Sequence, residues 1–372
     1  MLKRLFLNLR TWDGALLTIT LCLLGLGLAE ILSSGLAQGT GLGLFWRQLL
    51  GAILGLIALF FTASIDYRIL RSWSRLVYFG GILLLILVLI FGVTIRGTTG
   101  WFNFGLLTFQ PVELVKIAWI ITLAAYLTMV GPPLTWLKTA NATFLLLPLV
   151  GLILWQPDFG SAFLLIAVWG AMLCAMPKPK KWWLVMASLA VVVVLVGALF
   201  LKPYQKDRLM VFLNPQADPL GSGYNVRQSI IAVGAGKILG RGLGLGTQSQ
   251  LRFLPEQHSD FIFASITEEL GLVGGILILG LWFGFFYRIY FLMRRARDDF
   301  AVLLALGIFS LFAVQVVLNI GMNLGLAPVV GITLPFMSSG SSSLFVSLLM
   351  VGVLQNLAKH YGKRAPAIEV ES

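Results

Sequence analysis

Long unbroken apolar stretches dominate this chain, in place of the three-to-four spacing of a half-buried helix. They cover about residues 14–33, 47–64, 74–94, 112–130, 142–155, 160–176, 182–201, 262–292, 300–323 and 334–357. Crossing the hydrocarbon core of a bilayer takes roughly 20 apolar residues in a helix. The pattern therefore predicts an all-α polytopic membrane protein of about ten transmembrane helices. The fifth stretch is short for a span and the eighth long. The first exceeds the ~7–15-residue core of a cleaved signal peptide, so it reads as a retained span. Polar residues interrupt the pattern mainly from about 202 to 261, which predicts one long extracytoplasmic loop between spans 7 and 8. Within it, Tyr224 to Leu239 mixes Ile230, Ile231 and Val233 with polar residues, as a short helix lying at the membrane interface would. Loops of this length inside a compact unit usually carry function. Residues 1–372 read as one membrane domain with a flexible tail from about 362 to 372.

Composition agrees. Of 372 residues, 58% are hydrophobic and only 11% charged, with a mean hydropathy of +0.93, whereas a soluble domain is about 25% charged. The net charge of +12 would suggest nucleic acid in a soluble protein. Here it follows the positive-inside rule. With the N-terminus in the cytoplasm, ten spans place 17 of the 27 Lys and Arg residues on the inner side. The short outer loops hold only Arg47 and Arg96. Both termini are thus expected in the cytoplasm. Cys22 and Cys174 lie in apolar runs and read as core residues, with no disulfide. His258 and His360 are too few and too far apart to mark a metal site.

Ionisable groups at membrane depth are functional candidates by default. Gln110, Glu113 and Lys116 recur every three residues at the start of the fourth span and share a helix face. Glu113 and Lys116 can pair, either as a structural ion pair locking two helices or as part of a site. Asp158, in Gln156-Pro157-Asp158-Phe159-Gly160, is placed to cap the sixth helix. Arg96 and Arg208 are outer-side cations that could anchor at the interface or clamp a phosphate. Gln248, Glu256, His258 and Asp260 gather near the end of the long loop. Ser259-Asp260 stands directly before an apolar run and reads first as a helix N-cap. The sharper reading makes Asp260 a general base. Of Glu268 and Glu269, one is expected to pair with a cation and the other to face the bundle. The small residues from Ser338 to Ser343, at the start of the tenth span, read as helix packing.

Several of these segments carry a resemblance. Arg96-Gly97 through Trp101, Phe109-Gln110-Pro111-Val112-Glu113-Leu114-Val115-Lys116, Gln156-Pro157-Asp158-Phe159-Gly160, and Tyr204-Gln205 through Arg208 stand in the order found in the SEDS (shape, elongation, division and sporulation) family of glycosyltransferases. So do Gly240-Arg241-Gly242, Gly246-Thr247-Gln248-Ser249, His258-Ser259-Asp260-Phe261, Glu268-Glu269-Leu270-Gly271 and Asn319-Ile320-Gly321-Met322. Ser259 stands where the family usually has Thr, and Ser341 follows Gly340 where it usually has a second Gly. The resemblance implies a peptidoglycan glycosyltransferase of cell elongation, cell shape and division. It would polymerise lipid II, an undecaprenyl-diphosphate disaccharide-pentapeptide, into β-1,4 glycan strands with inversion at the MurNAc carbon. Asp260 would be catalytic. Arg96, Gln110, Glu113, Lys116, Asp158, Arg208, Gln248, Glu256 and His258 would bind substrate, with Arg96, Lys116 and Arg208 as cations for the diphosphate. The implied partners are a class B penicillin-binding protein transpeptidase and other membrane proteins of the elongation machinery, with no nucleic acid, in a bacterial plasma membrane. A divalent cation on the diphosphate is compatible with this, although no carboxylate cluster marks a site for it. A lipid II flippase, or a non-enzymatic scaffold for the transpeptidase, would share many of these features. Wild-type polymerisation by purified Asp260→Asn protein with its partner would overturn the catalytic assignment, and polymerisation by the purified complex would exclude the scaffold.

Overall fold

The computed structural model describes residues 12–37, 42–95, 97–105, 108–188, 210–212, 222–246, 248, 253–254, 256–296 and 298–361. Arg96, Arg208, the tail 362–372 and most of the expected seventh span lie outside the described residues. The helices are α1 (Gly14–Ala37), α2 (Gly43–Ser64), α3 (Tyr67–Ser72), α4 (Ser74–Phe91), α5 (Pro111–Val130), α6 (Trp136–Trp155) and α7 (Phe159–Ala175). They continue with α8 (Ser222–Ala235), α9 (Ile262–Arg295), α10 (Asp299–Asn323) and α11 (Ser341–Tyr361). Between α4 and α5 the strands β1 (Val93–Ile95), β2 (Thr98–Asn103) and β3 (Thr108–Phe109) form a small antiparallel sheet in the order β1-β2-β3. Among the described residues eight helices are long and apolar enough to cross a membrane, and α7 is a shorter apolar one. These account for nine of the ten expected stretches. Residues 180–188 are helical at the start of the seventh.

Helices α5, α10 and α11 are mostly buried, while α2, α4 and α6 leave most of their surface to the surroundings. The α2–α11 seam is close because glycines line it. A Cβ on Gly55 would stand 2.6 Å from Leu348 Cδ1, and one on Gly352 would stand 2.4 Å from Leu59 O. Such backbone approach is how apolar helices associate where lipid removes the hydrophobic driving force. Cys22 and Cys174 are free thiols on the exposed face of the bundle. They are not core residues, because their helices turn these positions outward.

One end of the bundle, here the terminal end, ties together the helix ends nearest both chain termini. Arg288 on α9 grips Asp13 through Nε (3.1 and 3.0 Å) and Nη2 (2.6 Å), and Gln355 on α11 exchanges two hydrogen bonds with the Asp13 backbone. The Tyr67 hydroxyl donates to Asp298, and Asn356 accepts from the Tyr67 amide. The opposite end carries the sheet, α8 and the loops.

Three elements depart from the apolar pattern. The fifth span begins at Trp136, not near 142: Thr135 caps it, and Lys138 turns its ammonium back to Gly131 O (2.9 Å) and Pro133 O (3.0 Å). A lysine that reaches the helix end in this way does not shorten the span. The eighth span has 34 residues and is broken at Gly271, where φ is +68°. An unbroken helix of that length would run about 50 Å, far beyond the hydrocarbon thickness. The break leaves main-chain groups open, and the glycine-rich loop after α8 satisfies them. Arg241 N and Gly242 N donate to Glu268 O and Glu269 O, and Leu272 N and Val273 N donate to Lys237 O and Ile238 O, at 2.9–3.2 Å. This exchange also explains why the predicted interfacial helix ends at Ala235 and not at Leu239. That helix docks on α9 and α10 with Ser229 fully buried, leaving Ile230 and Ile231 exposed. Finally, the tenth span does not begin at 334. Residues 334–340 are non-helical, with Phe336 at φ +65°, and the helix starts at Ser341. The segment is wedged into the bundle: Phe336 packs against Trp282, Phe285 and Phe312 at 5.4–5.7 Å between ring centroids. Gly27 admits the Met337 backbone, where a Cβ would come within 2.5 Å.

Candidate functional site

The candidate residues that the structure describes all lie at the loop end. Asp260 sits in the turn 256–261 that leads into α9. Glu256, at φ +56°, turns its carbonyl to the amides of Ser259, Asp260 and Phe261 at 3.1–3.3 Å. Three further carbonyls are held from outside the turn. His258 O accepts from Ser339 N (2.7 Å), Ser259 O from Ser338 Oγ (2.6 Å), and Asp260 O from Asn319 Nδ2 (3.0 Å) and Asn323 Nδ2 (2.9 Å). The Ser338–Gly340 stretch is itself fixed by Gln48 on α2, which donates to Ser338 O and accepts from Gly340 N. Ser338 therefore does more than permit close packing: its hydroxyl ties two irregular segments together where both are buried from water and open main-chain groups are costly. The N-cap position of α9 is Phe261, with no side-chain cap. Ser259 does not cap the helix; its hydroxyl lies against Glu256 Oε2 at 3.0 Å. The half-buried Asp260 carboxylate approaches Gly331, where a Cβ would lie 3.8 Å from Oδ2.

A second group lies across the 330–332 segment. Asp158 caps α7 as its position suggested, accepting from Ser161 N (2.9 Å) and Ser161 Oγ (2.7 Å). Its Oδ2 also faces Gln110 Nε2 at 3.4 Å. A Cβ on Gly160 would lie 3.0 Å from Val330 O, so the α7 N-terminus presses directly on the segment whose other side meets Asp260. Gln110 N donates to Ser342 Oγ on α11. One turn further in, Glu113 Oε1 and Lys116 Nζ pair at 2.7 Å, with side chains 9% and 4% exposed. The pair lies within α5, so it does not bridge two helices. It places a paired cation inside the most central part of the bundle, beneath Gln110 and Asp158.

Gln248 falls elsewhere. Its amide donates to Glu268 Oε1 (2.8 Å), on the side of α9 that faces α1. Glu268 and Glu269 are both fully buried. Glu269 accepts from Ser33 on α1 (3.3 Å), and Glu30 accepts from Ser265 on α9. Sequence reasoning did not single out Glu30, Ser33, Ser34 or Gln48. The available signal was the same one used for Lys116: a polar side chain within an apolar stretch. Asn319 and Asn323, four residues apart on α10, carried that signal too.

His258 completes this side. Its Nδ1 lies 3.2 Å from Ser34 Oγ, whose own proton goes to Glu30 O (2.7 Å), and its Nε2 lies 3.4 Å from Gln257 Nε2. With a donor amide at Nε2 and an acceptor at Nδ1, the network fits a neutral imidazole protonated on Nδ1. Burial pushes the His258 pKa below the ordinary histidine value, opposed by the Glu256 carboxylate. Among the described residues no group of three or more His, Cys, Asp or Glu side chains could hold a metal ion.

This arrangement offers a half-buried carboxylate on a fixed turn against the 330–332 segment, with Gln110, Asp158 and the buried Glu113–Lys116 pair grouped on that segment's far side. The family model FTSW_RODA_SPOVE, described as "Cell cycle protein", matches residues 12–363. The chain is 35% identical over 354 residues to the peptidoglycan glycosyltransferase MrdB of Escherichia coli (strain K12), covering 94% of this chain and 95% of that protein. It is 37% identical over 357 residues to the stage V sporulation protein E of Bacillus subtilis (strain 168), covering 94% and 97%. A chain solved in a study of the structural coordination of polymerization and crosslinking by a peptidoglycan synthase complex superposes with a TM-score of 0.82. It has 30% identity, over 95% of this chain and 99% of that one. The Thermus thermophilus rod shape determining protein RodA gives a TM-score of 0.70 at 26% identity, over 95% and 98%. The family-model match over residues 12–363, together with the curated relatives and the shared fold, makes this multi-pass membrane protein a member of the FtsW/RodA/SpoVE family, the SEDS family.

Proposed function

We propose that this chain is a peptidoglycan glycosyltransferase that polymerises lipid II in the bacterial plasma membrane, with Asp260 as general base. The names of its relatives support the activity. The observation that carries the role of Asp260 is its placement: an ionisable side chain, only half-buried, on a turn whose carbonyls are held by Ser338, Ser339, Asn319 and Asn323. A base needs a fixed position and an ionisable group that is not fully buried, and the held turn and the partial exposure of Asp260 support that role.

In the reaction, the Asp260 carboxylate takes the proton from the 4-hydroxyl of the acceptor GlcNAc. That oxygen attacks C1 of the donor MurNAc, the bond from C1 to the diphosphate oxygen breaks, and the α-linked donor becomes a β-1,4 linkage. The leaving group departs as an anion and is stabilised by positive charge rather than by a proton donor. Lys116, oriented by Glu113, supplies such charge from α5, and Arg96 and Arg208 are assigned the same role from the sequence. Gln110 and Asp158 line the donor side. The loop end faces the cell exterior and both termini the cytoplasm, as the Lys and Arg distribution supports. A class B penicillin-binding protein, a transpeptidase, is the proposed partner.

Polymerisation of lipid II by the purified complex with that partner tests the reading. Asp260→Asn should abolish glycan product while leaving the melting temperature and partner binding unchanged. Product formed at the wild-type rate would remove Asp260 from the chemistry.

A further inference from the structure

We propose that Asn319 and Asn323 are positioning residues that detach Asp260 from helix α9 and fix its orientation through the main chain. The inference rests on the reading of Asp260 as the base and names the groups that make it one.

In a regular helix beginning at this point, the Ala264 amide would donate to the carbonyl of Asp260, four residues earlier. It does not. Ala264 N donates to Asn323 Oδ1 at 3.0 Å, and Asn323 Nδ2 donates to Asp260 O at 2.9 Å. The side-chain amide of Asn323 is thus inserted between the two backbone groups and replaces one helical bond by two. Asn319, one turn earlier on α10, donates to the same Asp260 carbonyl at 3.0 Å and to Ile332 O at 2.8 Å. A carbonyl oxygen has two lone pairs, and both at Asp260 are engaged. The next bond of the helix, Ser265 N to Phe261 O at 3.1 Å, is regular. The interruption is confined to the residue that carries the carboxylate.

Both asparagines are completely buried, so no water competes for these bonds. Asn319 also anchors Ile332, and the neighbouring Gly331 lies against the Asp260 carboxylate. The pair therefore sets the distance between the base and the 330–332 segment that separates it from Asp158 and Gln110. Without the inserted amide, the Asp260 carbonyl is free to rejoin Ala264 N. The helix then gains a residue at its start, and the side chain of Asp260 rotates with it. A displacement of about 1 Å at a reacting group can cost on the order of 100-fold in rate.

Asn323→Leu keeps the branched shape and heavy-atom count of the side chain and removes the insertion. In the purified complex it should lower kcat by about 100-fold while leaving KM for lipid II within about two-fold. Stoichiometric binding of fluorescent lipid II shows that the loss is not a loss of folded protein. Asn323→Leu also separates positioning from packing, because it fills the site while losing both the acceptor for Ala264 N and the donor to Asp260 O. A positioning role makes it slow at unchanged KM, whereas a packing role leaves it near wild type and overturns the inference. Should Asn323→Leu fail to fold, Asn319→Leu carries the test, with a kcat loss of about 10-fold at unchanged KM. Asp260→Asn runs alongside. Wild-type kcat in the asparagine variants with an inactive Asp260→Asn overturns the positioning inference alone. An active Asp260→Asn overturns the assignment of the base.

Discussion

Removing the ammonium of Lys116 alone should destabilise the bundle far more than removing the whole ion pair. Glu113 and Lys116 sit on the central helix α5 with side chains 9% and 4% exposed and 2.7 Å between them. Lys116→Met leaves the Glu113 carboxylate without its partner in a site that water hardly reaches. Breaking a buried pair in this way costs about 3–5 kcal/mol, a large share of the roughly 5–15 kcal/mol that holds a domain folded. Glu113→Leu combined with Lys116→Met removes both charges, and such apolar replacement is often neutral or stabilising. Thermal unfolding of the purified complex should therefore show a large fall in Tm for the single variant and recovery in the double variant. Activity should not recover with it. An electrostatic donor aimed at developing charge contributes about 100–1,000-fold, so the double variant should polymerise lipid II at least ~100-fold more slowly than wild type. Wild-type polymerisation by the stable double variant would refute the assignment of Lys116 to the leaving diphosphate. An unchanged Tm in Lys116→Met would refute the argument from charge burial.

Gly271→Ala should cost roughly 2–5 kcal/mol, the sum of a left-handed backbone penalty and overpacking. Its Cβ would stand 2.3 Å from Gly240 N and 2.5 Å from Ile238 O, and an unaltered melting temperature would mean that the glycine-rich loop does not pack on the α9 break. His258 has a folded-state pKa below its ordinary value of 6.5 because it is buried. The unfolded state therefore binds its proton first, and the contribution of His258 to stability is present above about 6.5 and lost as the pH falls through the lowered folded value. Melting curves between about pH 5 and 8 should show this decline, and His258→Gln should flatten it. Asp158→Ala should cost about 0.5–2 kcal/mol through loss of the α7 cap, whereas Asp158→Asn should keep most of it. A drop in polymerisation by the stable asparagine variant would then report a charge contact with substrate.

Much of the fold was legible because a bilayer imposes one strong rule, that spanning backbone must be helical and apolar outside. Among the described residues, nine of the ten apolar stretches are helices at or near their expected limits. The misplaced boundaries share a cause. Lys138 looked like a loop residue because its charge was counted and its reach was not. Residues 334–340 looked like helix because Pro335 and the serines were weighed for hydropathy and not for the wedge that Phe336 makes among Trp282, Phe285 and Phe312. In the site, Glu113–Lys116 and the Asp158 cap follow from spacing within one helix. The cap expected of Ser259 is absent, because its hydroxyl turns to Glu256, while Asn323 from α10 takes the Ala264 amide in the first turn of α9.

Local order and hydropathy along the chain were enough to specify the membrane class, the helices, the pairing of Glu113 with Lys116 and the family motifs. All of these depend on neighbours within about two helical turns. Which polar residues meet was settled by the folded bundle, through the joining of Glu30 to Ser265, Gln48 to Ser338, and Asn319 and Asn323 to Asp260. The reason is physical: a side-chain amide or hydroxyl buried away from water must find a partner wherever packing supplies one, and a linear pattern states the need without naming the partner.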